Sequence, residues 1–381
     1  MIYKRNLSGA YNSFIGTAKY TYVVTQKSNL TFGSEWYYSQ SKYADKFLSS
    51  YVKYENQFSF DETLASLYAV YGQIWSEKFN TRVGVRAEYS KYIGTHSIEG
   101  QMLNVDSWTV YPSISAAYLI SKNHNLSFAL QNRILRPSFN ELNPYITYQS
   151  PTSTKAGNPF LKPATYMYYQ LNYSYKHKLF FNFSLTSGKD LTYSYTMPYD
   201  GNKSTTTVIN ASKMINPKFT VSYYNQFFNN RLQVNYTAFV QHMSREINVG
   251  TVNVNERYNT YGVFLDNTFS LLPKQGLKLN AYFQYMSPII SQTFTMSHNW
   301  FLNLSLMKRF SDFNVKISAQ DIFRTMQSHI RNDIFGLNNY SQSYLDNQKI
   351  IISIGYTFGN RKVKKVKPTQ SSADQVKQRI E

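Results

Sequence analysis

The stretch "MYYQLNYSY" (residues 167–175) alternates between two sets of side chains. The first set is mainly apolar and consists of Met167, Tyr169, Leu171, Tyr173 and Tyr175. The second set stands between them and consists of Tyr168, Gln170, Asn172 and Ser174. Because successive side chains of a strand point to opposite faces, this stretch predicts a β-strand with one apolar and one polar face.

The same period of two recurs along the chain. It predicts about fifteen strands, at 14–26, 29–40, 60–76, 79–92, 107–120, 125–136, 164–177, 179–197, 204–228, 231–247, 253–271, 276–288, 296–309, 312–326 and 347–358. Pro217 falls inside the ninth segment, where it predicts a bulge or a strand end, because proline has no N–H for the ladder.

The connections between these segments alternate in length. Short turns are predicted near 26–29, 76–80, 121–125, 176–178, 228–231, 272–276 and 309–313, and longer links near 41–59, 93–106, 137–163, 198–203, 248–252, 289–295 and 327–346. Tight turns at one end and longer loops at the other are typical of an antiparallel transmembrane β-barrel. The proline-rich stretch 137–163 is thereby predicted to be an exposed extracellular loop.

Composition limits the alternatives. The 381 residues contain no Cys, so a disulfide scaffold and a zinc–thiolate site are excluded. No run of 18 apolar residues occurs, and the mean hydropathy of −0.44 is compatible with a barrel, since half of each strand faces a polar lumen. The net charge of +19 indicates an anionic neighbour. The opening residues lack the apolar core of a signal peptide, so we expect either a cytoplasmic chain or a missing N-terminus.

Charge and aromatic residues fit the two faces of a membrane barrel. Arg82, Arg86 and Glu88 alternate with Val83 and Val85, and are therefore predicted to face the lumen. Aromatic clusters at 35–38, 166–169 and 221–228 are typical of the girdles at membrane interfaces.

Several motifs resemble those of TonB-dependent outer-membrane receptors, in particular the outer-membrane β-barrel family common in Bacteroidetes. These motifs are "RILRPSFNELNP" (133–144), "GNPFLKP" (157–163), "GVRAEYS" (84–90), "AQDIFRT" (319–325) and "SIGYTFG" (353–359). The resemblance implies a barrel of about 22 strands with a plugged lumen. Because only fifteen are predicted, and fifteen is odd, we expect N-terminal strands, the plug and the TonB-contact segment to be missing. The barrel would occupy 1–358, and 359–381 would be a disordered, basic periplasmic tail.

The resemblance also implies partners: outer-membrane lipid including lipopolysaccharide, TonB, the outer-membrane assembly machinery and a small solute. Gly355, Tyr356 and Phe358 resemble the closing-strand signal that the assembly machinery reads. In the extracellular loops, six residues have side chains that could hold a solute: Arg136, Asn140, Asn143, Tyr145, Tyr148 and Asn158. The same residues could instead only order the loop.

Enzymatic chemistry has little support in the sequence. The six histidines are scattered, and neither a nucleophile motif nor a phosphate-binding loop occurs. Carboxylates such as Glu88 and Asp321 are ordinary lumen residues of barrels. We therefore predict a non-enzymatic barrel without cofactors that takes up an iron chelate, glycan or peptide. A passive porin or adhesin platform is the alternative, and a soluble β protein with an anionic partner is the third. Nucleic acid is not predicted as a partner.

Overall fold

The computed structural model describes residues 3–49, 53–96, 100–150, 152–200, 203–249, 252–291, 294–334, 337–344 and 346–358. The predicted tail, 359–381, lies outside this part of the chain. Strands account for most of the described residues, so the all-β prediction is confirmed. No helix in the described ranges is long and apolar enough to cross a membrane.

Fifteen strands form one antiparallel sheet, which we call the wall. In chain order they are β1 (Tyr3–Thr25), β2 (Ser28–Ser49), β3 (Lys53–Ser76), β4 (Phe79–His96), β5 (Gly100–Ser121), β6 (His124–Leu135), β9 (Ala164–Tyr175), β10 (Leu179–Lys189), β13 (Lys213–Phe227), β14 (Leu232–Val249), β15 (Val252–Leu272), β16 (Leu277–Met286), β19 (Asn299–Phe310), β20 (Phe313–Gln320) and β23 (Lys349–Tyr356). Each is hydrogen-bonded to its neighbour in this order. The predicted number of strands is confirmed.

The remaining elements lie in the connections at the long-loop end, except for one 3₁₀ turn at the short-turn end. A short helix, α1 (Phe139–Leu142), precedes β7 (Thr147–Ser150) and β8 (Ser153–Lys155). These two strands join β11 (Leu191–Asp200) and β12 (Lys203–Ala211) in a four-stranded sheet, which we call the inner sheet. A second small sheet contains β17 (Ile289–Ile290), β18 (Phe294–Met296), β21 (Gln327–Ile334) and β22 (Leu337–Tyr344). A 3₁₀ turn, Pro273–Gln275, connects β15 to β16.

Two predicted strands prove to be two strands each. The segment 179–197 breaks at Asp190, whose φ of 59° turns the chain out of the wall, and β11 then enters the inner sheet. The segment 204–228 likewise divides into β12 and β13. Several predicted long links are instead mostly strand, since β2 and β3 extend the hairpin to Ser49 and Lys53. The predicted strand 312–326 ends at Gln320, before the left-handed residue Asp321.

The prediction for Pro217 was wrong. β13 continues through it, and Pro217 remains paired with Leu185 of β10. On the other side, the β13–β14 ladder omits residues 216 and 217 and resumes in the same register at Lys218 and Gln241. The missing N–H therefore interrupts one ladder locally, with no bulge.

The apolar rows lie on the outside of the wall, as expected for a barrel. Val85 is 48% exposed and Ile352 is 65% exposed, so neither packs in a dry core. Val234 is an exception: although it belongs to the same row as Val240, it is only 2% exposed. Its register partners on the neighbouring strands are Asn225 and Asn267.

The outward position of Leu171 yields a test of which face meets lipid. We expect Leu171→Lys to lower the free energy of unfolding by about 2–4 kcal/mol, because it places a charge at mid-strand on the lipid face. The adjacent Gln170→Lys, which faces the lumen beside Ala129 and Ser184, should cost far less. Urea unfolding of both variants in lipid vesicles, followed by tryptophan fluorescence, measures the difference. Equal losses would contradict the assignment of the faces.

Candidate functional site

Residues 137–163, here called the lumenal segment, fold back onto the inner face of the wall. Phe139, Leu142, Tyr145 and Leu161 are buried in one cluster with side chains of β3 and β4. The Phe139 ring centroid lies 5.8 Å from that of Phe60, and Tyr145 meets Phe58 edge-on at 6.5 Å. The prediction of an exposed loop was therefore wrong for these residues. Apolar side chains in the segment are buried because the inner wall at this height carries aromatic residues.

A capping box starts α1 within this segment. Glu141 N–H donates to Ser138 Oγ at 3.3 Å, and Ser138 N–H donates to the Glu141 carboxylate at 2.7 Å. This reciprocal pattern satisfies two backbone donors that a helix start leaves free. The spacing S-x-x-E in "PSFNEL" is typical of a capping box, and this part of the site was not predicted from the sequence.

The "GNP" part of the lumenal segment closes the other end of α1. Gly157 N–H donates to Asn143 O at 2.8 Å, and Asn158 N–H donates to Glu141 O at 2.6 Å. A Cβ on Gly157 would lie 2.4 Å from Glu141 O and 2.5 Å from Asn143 O. Only glycine lets the two chains approach this closely, so the two motifs of the segment form one folded unit.

An ion cluster anchors the start of the lumenal segment. The Arg136 guanidinium pairs with Glu88, and its Nε lies 3.5 Å from Glu62 and 3.2 Å from the Tyr92 hydroxyl. Arg86 pairs with the other oxygen of Glu88. The two carboxylate side chains are 0% and 1% exposed, so Arg136 neutralises charges that the wall buries.

The same surroundings act on the pKa of Arg136. Burial by itself lowers this pKa, but Tyr92, Glu88 and Glu62 outweigh burial and raise it above its ordinary value. The guanidinium therefore stays charged at any physiological pH.

A second ion pair attaches the inner sheet to the wall strands β14 and β15. Arg245 of β14 pairs with Glu256 of β15, which is 0% exposed, and Arg245 stacks over the Tyr193 ring at 4.6 Å. Tyr193 of β11 also donates to Glu256 at 3.2 Å. Because Val208 of β12 joins the aromatic cluster at β3, the inner sheet and lumenal segment together connect β3 and β4 to β14 and β15, which lie six to eight strands further along the wall.

The six predicted ligand residues fall into two groups. Four make contacts that order the segment: Arg136 and Tyr145 are described above, Asn143 Oδ1 accepts from Tyr145 N–H, and Asn158 donates to Val208 O. The other two, Asn140 and Tyr148, expose their side chains. A solute role remains a prediction for all six.

The other predicted residues lie on the wall. Arg82 is exposed on the inner face, on the same side of β4 as Arg86 and Glu88. Tyr356 and Phe358 stack at 6.4 Å at the end of β23, and Gly355 is exposed beside them. Their role in assembly stays a prediction.

The sequence reading did not single out the buried acids Glu62 and Glu256, or Arg245. Their signal is a charged residue at a lumen-facing position between aromatic residues, as Glu62 follows Phe58 and Phe60. Among the described residues, no group of three His, Asp or Glu could hold a metal ion.

The contact of Gly157 with two carbonyls predicts a specific sensitivity. We expect Gly157→Ala to destabilise the lumenal segment by about 1–3 kcal/mol, because backbone atoms must move to admit the Cβ. Limited trypsin cleavage after Lys155 should become several-fold faster. Gly16→Ala is the control, since a Cβ there meets nothing within 4 Å. Equal cleavage of both variants and the parent protein would contradict the close packing of Gly157 against the two carbonyls.

The ion cluster generates a second prediction. Arg136→Met should lower the free energy of unfolding by about 3–5 kcal/mol, because the buried Glu62 and Glu88 both lose this cation and Arg86 pairs with Glu88 alone. The triple variant R136M/E62Q/E88Q should recover most of this loss. Urea unfolding in detergent measures both proteins. A triple variant no more stable than the single one would show that Arg136 acts through packing alone.

Comparison with known proteins agrees with this architecture. The model of the outer membrane protein beta-barrel family matches residues 1–356. No match was found among curated proteins.

Solved structures share the fold at low sequence identity. The ferric yersiniabactin uptake receptor FyuA from Yersinia pestis has a TM-score of 0.60 and 12% identity, over 93% of this chain and 53% of that one. The copper transporter OprC has a TM-score of 0.64 and 10% identity, over 93% and 58%. The ferric preacinetobactin receptor BauA from Acinetobacter baumannii has a TM-score of 0.56 and 11% identity, over 92% and 55%.

The chain thus spans little more than half the length of these solved proteins. Its match to the family model nevertheless covers nearly all of the described residues. The chain belongs to the outer membrane protein beta-barrel family, and its place is the outer membrane.

Proposed function

We propose that this chain is barrel wall from a TonB-dependent outer-membrane receptor that imports a scarce solute. The Bacteroidetes variety of this family is the one its motifs resemble. Its partners would be TonB, outer-membrane lipid including lipopolysaccharide, and the assembly machinery acting on Gly355, Tyr356 and Phe358. The main support is the long-loop end, here called the mouth, where the lumenal segment and inner sheet fold inward and connect β3 and β4 to β14 and β15.

A connected mouth favours a receptor over a passive pore. A porin needs an open water channel, and material folded across its lumen reduces conductance. A receptor needs ordered side chains around a solute, because a preorganised site binds more tightly than a flexible one. The capping box, the Gly157 contacts and the Arg136 cluster all order the segment.

The names of the solved relatives agree with this proposal. FyuA and BauA are receptors of ferric chelates, and OprC is a copper transporter. For this chain, the proposal includes three classes of solute, namely iron chelates, glycans and peptides. Asn140 and Tyr148 are the proposed solute contacts, since both are exposed on the ordered segment.

Energy dependence distinguishes the receptor from the porin. Cells with the intact gene should accumulate one of three radiolabelled probes, namely a ferric siderophore, an oligosaccharide or an oligopeptide. A protonophore should abolish this uptake, because TonB draws on the proton gradient. A strain without the gene gives the background. Uptake that depends on the gene but survives the protonophore would establish the passive alternative.

The same assay examines the solute contacts. Asn140→Ala and Tyr148→Ala should each reduce uptake several-fold at unchanged amounts of folded protein, judged by its shift on unheated gels. Asn6→Ala, an exposed asparagine of β1, is the control. Wild-type uptake by both variants would show that Asn140 and Tyr148 do not contact the solute. The conclusion on energy dependence would not change.

A further inference from the structure

The short-turn end of the barrel carries a concentrated positive charge. Within two residues of the seven short turns there are nine Lys or Arg and two acids, Glu77 and Asp312. The nine are Lys27, Lys78, Lys122, Lys176, Lys178, Arg231, Lys274, Lys278 and Arg309. Every short turn contributes at least one, so the charge forms a continuous rim.

These cations are exposed and not neutralised by neighbouring acids. All nine are exposed, and within the described part of the chain no salt bridge pairs any of them. This differs from the mouth, where Arg136 and Arg245 are paired with buried glutamates. A rim of unpaired charges attracts anions.

The rim lies beside aromatic residues of the lipid-facing side. Lys176 Nζ is 5.1 Å from the centroid of Tyr175, and Lys308 Nζ is 4.7 Å from that of Phe310. Phe313 and Phe228, also at this end, are 50% and 75% exposed. Such rings mark the level of the membrane interface, where lipid head groups lie. The cations are therefore at head-group height.

We propose that this rim binds the anionic phospholipid head groups of the periplasmic leaflet. Short turns of outer-membrane barrels face the periplasm. Basic residues near an anionic lipid surface strengthen binding by about fivefold each, and the long flexible side chains of lysine reach phosphates without a fixed site. The proposal concerns the wall and its lipid, and it is independent of the solute and of TonB.

The position of Trp75 provides a local reporter. Trp75 is 62% exposed and lies three residues before Lys78 in the sequence. The preceding residue, Ile74, donates its N–H to the carbonyl oxygen of Lys27, so Trp75 is close to both lysines of this part of the rim. The full chain with W36F/W108F/W300F keeps Trp75 as its one tryptophan. Reconstituted in phosphatidylcholine, it is quenched by brominated phosphatidylcholine or brominated phosphatidylglycerol. The ratio of the two association constants measures the preference for the anionic lipid.

We expect this ratio to exceed one clearly and to fall as sodium chloride is raised. K27Q/K78Q should reduce it by about fivefold for each charge removed. K42Q/K155Q removes two exposed lysines far from the short turns and should leave it unchanged. If the tryptophan background does not fold, mass spectrometry of phosphatidylglycerol retained by K27Q/K78Q after detergent washing gives the same comparison.

Two results would overturn the proposal. One is the absence of a lipid preference at the rim, seen as a ratio of association constants near one for the parent protein or as equal ratios for K27Q/K78Q and the parent. The other is loss of binding to isolated peptidoglycan in K27Q/K78Q with the lipid preference intact, which would assign the rim to an anionic cell-wall partner.

Discussion

The structure depends on one constraint: hydrocarbon offers no hydrogen-bond partner to a backbone N–H or C=O, so each strand must be paired by its neighbours. Within the described residues, the thirteen strands between β1 and β23 meet this constraint on both sides, and β1 and β23 each pair on one side. It also explains where irregular backbone occurs. The helix α1, the left-handed residues Asp190 and Asp321, and both small sheets lie at or inside the long-loop end, where water and protein supply partners. Pro217 is tolerated because it leaves one ladder unpaired over two residues only.

Electrostatics then determines where the loops come to rest inside the lumen. A carboxylate buried without a cation costs several kcal/mol, so Glu62, Glu88 and Glu256 need partners held in place. The first two receive Arg136, the residue directly after β6, and the third receives Arg245 together with Tyr193 of the inner sheet. The aromatic cluster around Phe139 buries apolar surface but does little to fix the orientation of the lumenal segment. The ion pairs add direction, because a guanidinium must approach its carboxylate in a narrow range of geometries.

The period of two was enough to predict the wall. It located all fifteen strands and the seven short turns, since an alternating pattern with one lipid face is a local property of the chain. The same pattern could not show that residues 191–211 leave the wall. β11 and β12 alternate as the wall strands do, and their sheet is distinguished by contacts distant in sequence, such as that of Tyr193 with Glu256. The lumenal segment was misplaced for a related reason. Its place on the long-loop side was taken to mean exposure, whereas Pro137 and Pro159 are buried.

The buried ion pairs of the mouth and the short-turn rim treat charge in opposite ways, and the rim, with nine cations and two acids, carries +7 of the net charge of +19. At the mouth, acids and bases are buried, so each must be matched or the fold loses stability. At the short turns, side chains are exposed, water and salt screen their repulsion, and an excess of one sign costs little. An unmatched excess can therefore accumulate at an exposed rim. Once it has accumulated beside a lipid interface, the same charges that cost little in water become attractive to any anionic head group within reach.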